Sequence, residues 1–122
     1  MNKVFGAAAV AAMFALTGFS ASAADWKDGV LFGEQQLTEI DNFAVYQIDF
    51  GLEPGKCSGQ LTTVGEWLNM KEGTLSFAYS DEAKDRKAGD GAWWHESGTQ
   101  VEVCNKGDVN AIVAGVQFRP KQ

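Results

Sequence analysis

The chain has 122 residues, of which 45% are hydrophobic and 21% are charged, and its formal net charge at pH 7 is −6. This length allows one domain with a modest core. The 16 acidic side chains outnumber the 10 basic ones and are spread along the chain, so no basic stripe suits nucleic acid or an anionic membrane surface. We therefore interpret the acidity as a source of solubility and expect no nucleic-acid partner.

The first 23 residues have the pattern of a secretory signal peptide. Lys3 stands near the start, an apolar run rich in small residues follows, and Ala21-Ser22-Ala23 matches an A-x-A cleavage site. A transmembrane anchor is the alternative, but the apolar run is short for one. Cleavage would leave a single mature domain, residues 24–122, with 9 basic and 16 acidic side chains and a net charge of −7. The predicted location is periplasmic or secreted, with no membrane span after cleavage.

Two cysteines, Cys57 and Cys104, occur in the predicted mature domain. Export exposes them to an oxidising compartment, which favours one disulfide between them. A metal site would need more ligands than two cysteines and the single histidine, and a catalytic cysteine would need a free thiol with its histidine nearby. We therefore predict a disulfide, no metal site and no cofactor.

The first part of the predicted domain alternates as strands do. Residues 30–33 form a short apolar run, the pair Asp41-Asn42 indicates a turn, and residues 43–50 place Tyr46, Ile48 and Phe50 on one face. Residues 51–56 have the composition of a loop. The stretch from 57 to 71 is ambiguous, because 61–64 favours a strand while Val64, Trp67, Leu68 and Lys71 fit a short helix face.

Alternation returns in the second part. Leu75, Phe77 and Tyr79 share a face, whereas residues 80–88 carry no apolar stripe and are interpreted as a solvated short helix or loop. Residues 99–105 and 112–118 alternate on either side of a tight-turn sequence, which predicts a β-hairpin. The fold class is therefore all-β or β-rich α+β: a small OB-like barrel of five or six strands with one or two short helices.

Catalytic motifs are absent from the sequence. There is no nucleophile elbow, phosphate loop or H-E-x-x-H, and any Ser–His–Asp arrangement would have to use His95, the only histidine. The scattered carboxylates are typical of a solvated surface, and Asp81, Glu82, Asp85 and Asp90 lack the spacing of a calcium loop. We expect that the protein is not an enzyme.

The stretch GDGAWWHESG, residues 89–98, sets two tryptophans side by side. One core pocket does not easily take both indoles, because adjacent residues point in different directions. In one interpretation one indole is core and the other covers the barrel end. In the other, Trp93, Trp94, His95 and Glu96 form a contact edge, where an indole stacks on a sugar or anchors a protein interface. Asp41 and Asn42 are a second candidate binding site.

Several segments resemble the receptor-binding B subunits of pentameric bacterial toxins of the Shiga and cholera type. Residues 24–32 (ADWKDGVLF), 41–45 (DNFAV) and 97–118 are similar to Shiga-type strands, and residues 70–84 (MKEGTLSFAYSDEAK) to a cholera-type strand and turn. The resemblance implies an exported OB barrel with one helix and one disulfide that assembles in rings and binds cell-surface glycans. Its glycan site carries over only at Asp41 and Asn42.

The sequence thus predicts an exported, non-enzymatic recognition protein that binds glycan in the manner of a toxin subunit. The alternative is a periplasmic inhibitor or immunity protein, whose acidity would steer it to a basic enzyme such as a lysozyme-like hydrolase. A purely structural envelope protein is a third reading. The expected partner is a glycan or a protein, and homo-oligomerisation is left open.

Overall fold

Residues 24–121 are described by a computed structural model and form ten strands. In chain order these are β1 (Asp25–Lys27), β2 (Val30–Ile40), β3 (Phe43–Leu52), β4 (Cys57–Thr62), β5 (Gly65–Glu72), β6 (Thr74–Ala78), β7 (Ala83–Lys87), β8 (Trp93–His95), β9 (Gln100–Cys104) and β10 (Ala111–Pro120). No helix occurs between residues 24 and 121, and so none there is long and apolar enough to cross a membrane. The predicted signal peptide, residues 1–23, lies outside the described residues and stays a prediction.

The strands form two antiparallel sheets. The six-stranded sheet has the order β1-β2-β3-β10-β5-β8, and the four-stranded sheet has the order β4-β9-β6-β7. Their inner faces enclose one core, built from alternate residues of each strand as the period of two requires. The core side chains come from both sheets: Ile48, Leu52, Leu68, Met70, Leu75, Phe77, Trp93, Val101, Val103, Ala111 and Val113. Burial of each large side chain contributes about 1.5–3 kcal/mol.

A glycine sets the spacing at the centre of the six-stranded sheet. Gly115 on β10 lies opposite Ile48 on β3 and Leu68 on β5. A Cβ at this position would lie 2.6 Å from Cδ2 of Leu68, far inside van der Waals contact. The absent side chain therefore lets Leu68 pack across the strand and keeps the middle of the barrel filled.

The predicted all-β barrel is confirmed, and the strand predicted over residues 43–50 is β3. The described residues hold ten strands rather than five or six, and the short helices are wrong. The segment given a helix face, Val64 to Lys71, is mostly β5. Its alternation was hidden because Glu66 occupies an inward position and Trp67 an outward one, the reverse of what hydrophobicity suggests.

The interpretation of residues 80–88 as a short helix or loop is also wrong, since most of them form β7. β7 pairs only with β6 and is an edge strand of the four-stranded sheet. Charged residues such as Lys84 and Arg86 are common on edge strands, because they discourage pairing with another chain. The composition of this edge strand is therefore similar to that of a solvated helix or loop.

The predicted C-terminal hairpin is wrong in its pairing, although both strands exist. β9 pairs with β4 and β6 in one sheet, whereas β10 pairs with β3 and β5 in the other. Asn105, which is 1% exposed, stabilises the segment that connects β9 to β10. Its side-chain nitrogen donates to the carbonyl oxygens of Leu52 and Val109, both at 2.8 Å, and its oxygen accepts from the backbone nitrogen of Gly107 at 2.9 Å.

The predicted disulfide is present. Cys57 on β4 and Cys104 on β9 are paired across the strands and joined by an S–S bond, with 47 residues of sequence separation. This bond ties the edge strand β4 to the rest of the four-stranded sheet.

We predict that removing the disulfide lowers the free energy of unfolding by roughly 4 kcal/mol, because a long closed loop restricts the unfolded chain. The measurement is urea unfolding of the wild type and of the variant that carries Cys57→Ser and Cys104→Ser. An unchanged unfolding midpoint would contradict this account.

Candidate functional site

Strand β8 separates the two tryptophans of the sequence. It pairs with β5 so that His95 lies opposite Glu66, Trp94 opposite Trp67, and Trp93 opposite Leu68. Strand alternation turns Trp93 and His95 inward, where they are 7% and 5% exposed, and turns Trp94 outward, where it is 38% exposed. Trp93, Trp94, His95 and Glu96, predicted as a contact edge, nevertheless all line one groove at the edge of this sheet.

Trp94 belongs to an aromatic cluster on the outer face of the six-stranded sheet. Its ring centroid lies 5.4 Å from that of Trp67 and 6.1 Å from that of Phe118. Gly65 makes room for it, because a Cβ there would approach the indole to 3.0 Å. The other candidate residues, Asp41 and Asn42, form the exposed turn between β2 and β3.

The inward residues belong to a continuous chain of side-chain hydrogen bonds, here called the interior chain. It runs in the order Glu34, Arg119, Gln117, Glu66, His95, Tyr79. The successive distances are 2.6 Å from Arg119 Nη2 to Glu34 Oε1, 3.0 Å from Arg119 Nε to Gln117 Oε1, 2.8 Å from Gln117 Nε2 to Glu66 Oε1, 2.9 Å from His95 Nδ1 to Glu66 Oε2 and 2.6 Å from Tyr79 Oη to His95 Nε2.

Donors near the two ends of the interior chain fix the direction of the hydrogen bonds between them. A guanidinium can only donate, so Arg119 faces the oxygen of the Gln117 amide, and the amide nitrogen is left to donate to Glu66. From the other side, the indole nitrogen of Trp93 lies 3.4 Å from Nε2 of His95 and can also only donate. The bonding therefore assigns the lone pair to Nε2 and the proton to Nδ1. Glu66 accepts on both oxygens, as an ionised carboxylate does.

Arg119 is held in place from a second direction. Its guanidinium lies over the ring of Tyr46, with 3.8 Å between the guanidinium carbon and the ring centroid. This geometry is a cation–π contact. The hydroxyl of Tyr46 in turn donates to Gln36 Oε1 at 3.3 Å. The donor that orients the interior chain is thus fixed by packing as well as by hydrogen bonds.

An inner cavity of about 460 Å³ lies between the two sheets, against the interior chain. Glu66, His95, Gln117 and Arg119 form its polar wall. The remaining lining is mostly apolar and comes from both sheets: Phe32, Ile48, Phe50, Leu61, Val64, Leu68, Phe77, Val101, Val103 and Val113. Phe32 and Leu61 are partly exposed to solvent and mark the open side of the cavity.

A second cavity, here called the side groove, has a volume of about 660 Å³ and lies between the edge strands of the two sheets. Tyr79, Lys84 and Arg86 line it from the four-stranded sheet and its end, and Trp93 and His95 line it from β8. The guanidinium carbon of Arg86 lies 4.4 Å from the centroid of the Trp93 ring. His95 contributes to both cavities and forms part of the wall between them.

Tyr79 stands where the interior chain meets the side groove. Burial raises the pKa of its phenol above the ordinary value. The positive charge of Arg86 and a hydrogen bond from Trp93 oppose this rise, and the negative charges of Glu82 and Glu66 add to it. The phenol is therefore held in its neutral form, as the hydrogen bond that it donates to His95 requires.

The polar wall does not offer the ligands of a metal ion. Both nitrogens of the only histidine are bonded to Glu66 and Tyr79. Within residues 24–121, one group of three residues brings ligand atoms within 4.8 Å of one another, namely Cys57, Glu102 and Cys104. Two of its members are joined as a disulfide and present no thiolate. The expectation of no metal and no cofactor stays a prediction.

Sequence reasoning located part of this site and missed the rest. It singled out Trp93 and His95, but as surface residues. It did not propose Glu66, Tyr79, Gln117 or Arg119. The available signal was a polar residue at a core-facing strand position, because Gln117 lies on the same side of β10 as the buried Val113. The face predicted as apolar, Ile112 to Phe118, lies on the other side of the strand, where Ala114 and Val116 are also buried.

Comparison with known proteins identifies the fold. No protein-family model and no curated protein sequence matches the chain. Among solved structures, it is similar to a predicted oxalate decarboxylase from Thermotoga maritima, with 19% identity, a TM-score of 0.58, and coverage of 74% of this chain and 80% of the other. It is also similar to a cupin domain from Bordetella pertussis (17%, 0.54, 71% and 94%) and to KdgF from Halomonas sp. (12%, 0.56, 80% and 86%). At these identities the likeness shows a cupin-like fold and nothing finer.

These neighbours correct the predicted identity. The resemblance to toxin B subunits, the OB-fold assignment and the glycan-binding function are wrong, because the two sheets match cupin barrels rather than toxin subunits. These neighbours also give no support to the alternative of a periplasmic inhibitor or immunity protein. Short matching segments misled the sequence comparison, since strand-and-turn patterns recur in unrelated β-barrels.

We predict that Glu66→Gln lowers the free energy of unfolding by about 1–3 kcal/mol, the usual cost of an unpaired buried donor or acceptor. A glutamine has one acceptor where Glu66 uses two, so its amide nitrogen faces either Gln117 or His95. The matched control is Glu34→Gln at the half-exposed end of the interior chain, where the loss should stay below about 1 kcal/mol. Equal losses in urea unfolding would contradict the role of Glu66 as the central acceptor.

We also predict that Tyr79 ionises at higher pH in the folded protein than in the unfolded chain. The variant Tyr46→Phe leaves Tyr79 as the only tyrosine, and its phenolate absorbance can be followed with and without urea. Because the folded-state pKa is raised, the stabilisation is complete below the unfolded-state pKa and is lost as pH rises through the folded-state value. Coincident titration curves in the folded and unfolded protein would contradict the prediction.

Proposed function

We propose that this protein binds a small organic molecule in the inner cavity, with the apolar part of the ligand between the sheets and a polar end at Arg119. The observation that carries the proposal is the cavity itself. Its volume of about 460 Å³ lies within the range of about 300–1,000 Å³ that is typical of small-molecule sites. Such sites have the same composition, a mostly apolar lining with a few polar groups that fix the orientation of the ligand.

The polar wall supports a ligand whose polar end accepts hydrogen bonds. The bonds to Gln117 and Glu34 use two of the five N–H groups of Arg119. Glu66 and Gln117 are engaged with their neighbours in the interior chain, so Arg119 is the donor best suited to a ligand oxygen. A carboxylate fits this position, because arginine binds that group with paired hydrogen bonds. The apolar lining favours a larger acid than the oxalate named for one fold neighbour.

We propose binding without turnover at the inner cavity. The acid–base atoms of Glu66 and His95 are committed to each other and to Gln117 and Tyr79. A residue that exchanges protons with a ligand needs an atom within hydrogen-bond reach of it. At this wall those atoms already have partners, which supports a role in positioning the ligand.

We predict that an anilinonaphthalene sulfonate dye binds the folded protein with a stoichiometry of one per chain. Leu61→Asp should weaken this binding at least tenfold, because the new carboxylate lies at the open side of the cavity beside the apolar part of the dye. Val109→Asp is the matched control: Val109 is 60% exposed and is not part of the lining, so its substitution should leave the affinity unchanged. Fluorescence titration measures both.

A second comparison tests the polar end. Arg119→Gln should weaken binding of the sulfonate dye and leave binding of an uncharged naphthalene dye unchanged. Equal affinities in the wild type and in Leu61→Asp would show that the dye binds elsewhere and would overturn the assignment of the inner cavity. An equal effect of Arg119→Gln on both dyes would overturn the assignment of the polar end.

A further inference from the structure

We propose that the side groove is a reactive site, in which the oxygen of Tyr79 attacks an electrophilic carbonyl group while His95 takes the phenol proton. The inference goes beyond ligand binding in the inner cavity and concerns a different cavity. It rests on three observations: the geometry of Tyr79, His95 and Glu66, the direction of their hydrogen bonds, and an unpartnered donor on Arg86.

The three side chains have the arrangement of an activated nucleophile. The phenol oxygen of Tyr79 lies 2.6 Å from Nε2 of His95, and Nδ1 of the same ring lies 2.9 Å from a carboxylate oxygen of Glu66. A nucleophile, a base within hydrogen-bond reach and a third group that orients the base are the parts that covalent catalysis requires. The base and the orienting carboxylate are both buried, which keeps their geometry fixed.

The direction of the bonds gives each member its role. Nε2 of His95 carries the lone pair, so Tyr79 donates its proton to the ring. The indole nitrogen of Trp93, at 3.4 Å from Nε2, is the weaker of the two donors that face this lone pair. Beside the hydrogen bond from Trp93, one lone pair of the phenol oxygen therefore remains for an electrophile. When the proton moves to Nε2, the imidazolium that forms lies against the carboxylate of Glu66, which stabilises its charge.

Burial makes the histidine necessary. Because burial raises the pKa of Tyr79, little free phenolate forms near neutral pH, and attack has to be coupled to proton transfer. The chain contains its own comparison. Tyr46, the only other tyrosine, donates its hydroxyl to the amide of Gln36, which is not a base. The structure therefore assigns different reactivities to the two phenols.

We assign to Arg86 the stabilisation of the developing negative charge. Its guanidinium lies over Trp93 in the side groove, and among residues 24–121 its Nε is buried without a hydrogen-bond partner. An unpaired buried donor is costly unless something accepts from it. The oxygen of a polarised carbonyl is such an acceptor, and donors placed in advance around that oxygen stabilise the transition state.

With an aryl ester the step is balanced. The phenol oxygen of Tyr79 bonds to the carbonyl carbon, and the bond from that carbon to the aryloxide breaks. The phenol proton passes to Nε2 of His95 and then to the departing aryloxide. The products are an acyl-tyrosine and a free phenol. This is one acyl transfer per chain and requires no turnover.

The test is acylation by p-nitrophenyl acetate, followed by mass spectrometry of the peptides that contain each tyrosine. In the wild type we expect Tyr79 to be acetylated at least tenfold faster than Tyr46 in the same molecules. His95→Gln keeps a polar side chain but no base, and it should reduce the rate at Tyr79 to that at Tyr46. Arg86→Gln should also slow Tyr79, whereas Val109→Asp, at an exposed position that lines neither cavity, should not.

The comparison within the wild type needs no variant to fold. Acetylation of Tyr79 no faster than that of Tyr46 overturns the proposal outright. An unchanged rate in His95→Gln, with the near-ultraviolet circular dichroism of the wild type, overturns the role of His95. Because the dye experiment reports on the inner cavity and the ester on the side groove, failure of one proposal is distinguishable from failure of the other.

Discussion

The interior of this barrel depends on the fact that an arginine can only donate hydrogen bonds. Arg119 stacks on Tyr46 and turns the Gln117 amide so that its nitrogen faces Glu66. Glu66 accepts from Gln117 on one oxygen and from Nδ1 of His95 on the other. A continuous set of hydrogen bonds thereby links an obligatory donor at the barrel edge to a buried imidazole three side chains away. These polar groups can lie beside an apolar core because each member of the interior chain has hydrogen-bond partners within it.

The same chain gives the barrel two different polar surfaces. Toward the inner cavity it presents side chains whose hydrogen bonds are already made, together with the remaining donors of Arg119. Toward the side groove it presents the phenol of Tyr79, which is bonded to His95 and keeps one lone pair beside the hydrogen bond from Trp93. His95 contributes to both cavities because β8 is short and lies at the edge of its sheet, opposite the edge strand of the other sheet. An open seam between two sheets thus exposes a group that a closed barrel would bury.

The sequence predicted those features of the fold and the site that depend only on neighbouring residues. The strand over residues 43–50 and the shared face of Leu75 and Phe77 depend on alternation within a few residues, and the structure has both. The disulfide followed from there being two cysteines and an expected oxidising compartment. The sequence did not predict β5 as a strand, because Glu66 points inward to partners on β8 and β10. It also did not predict the pairing of β9, because the contacts of Asn105 hold the chain where it crosses to the other sheet. Both features depend on residues that are far apart in the sequence.

By itself the sequence determined that the described domain is a small, acidic, β-rich unit, because composition and period-two alternation are properties of the chain. It also marked the segment that holds Trp93 and His95. Only the tertiary structure decided the cupin-like topology, the inward direction of His95 and its meeting with Glu66 and Tyr79, which are 29 and 16 residues away. The physical reason is that a buried polar residue is stable only with its partners, and strand pairing between distant segments chooses those partners.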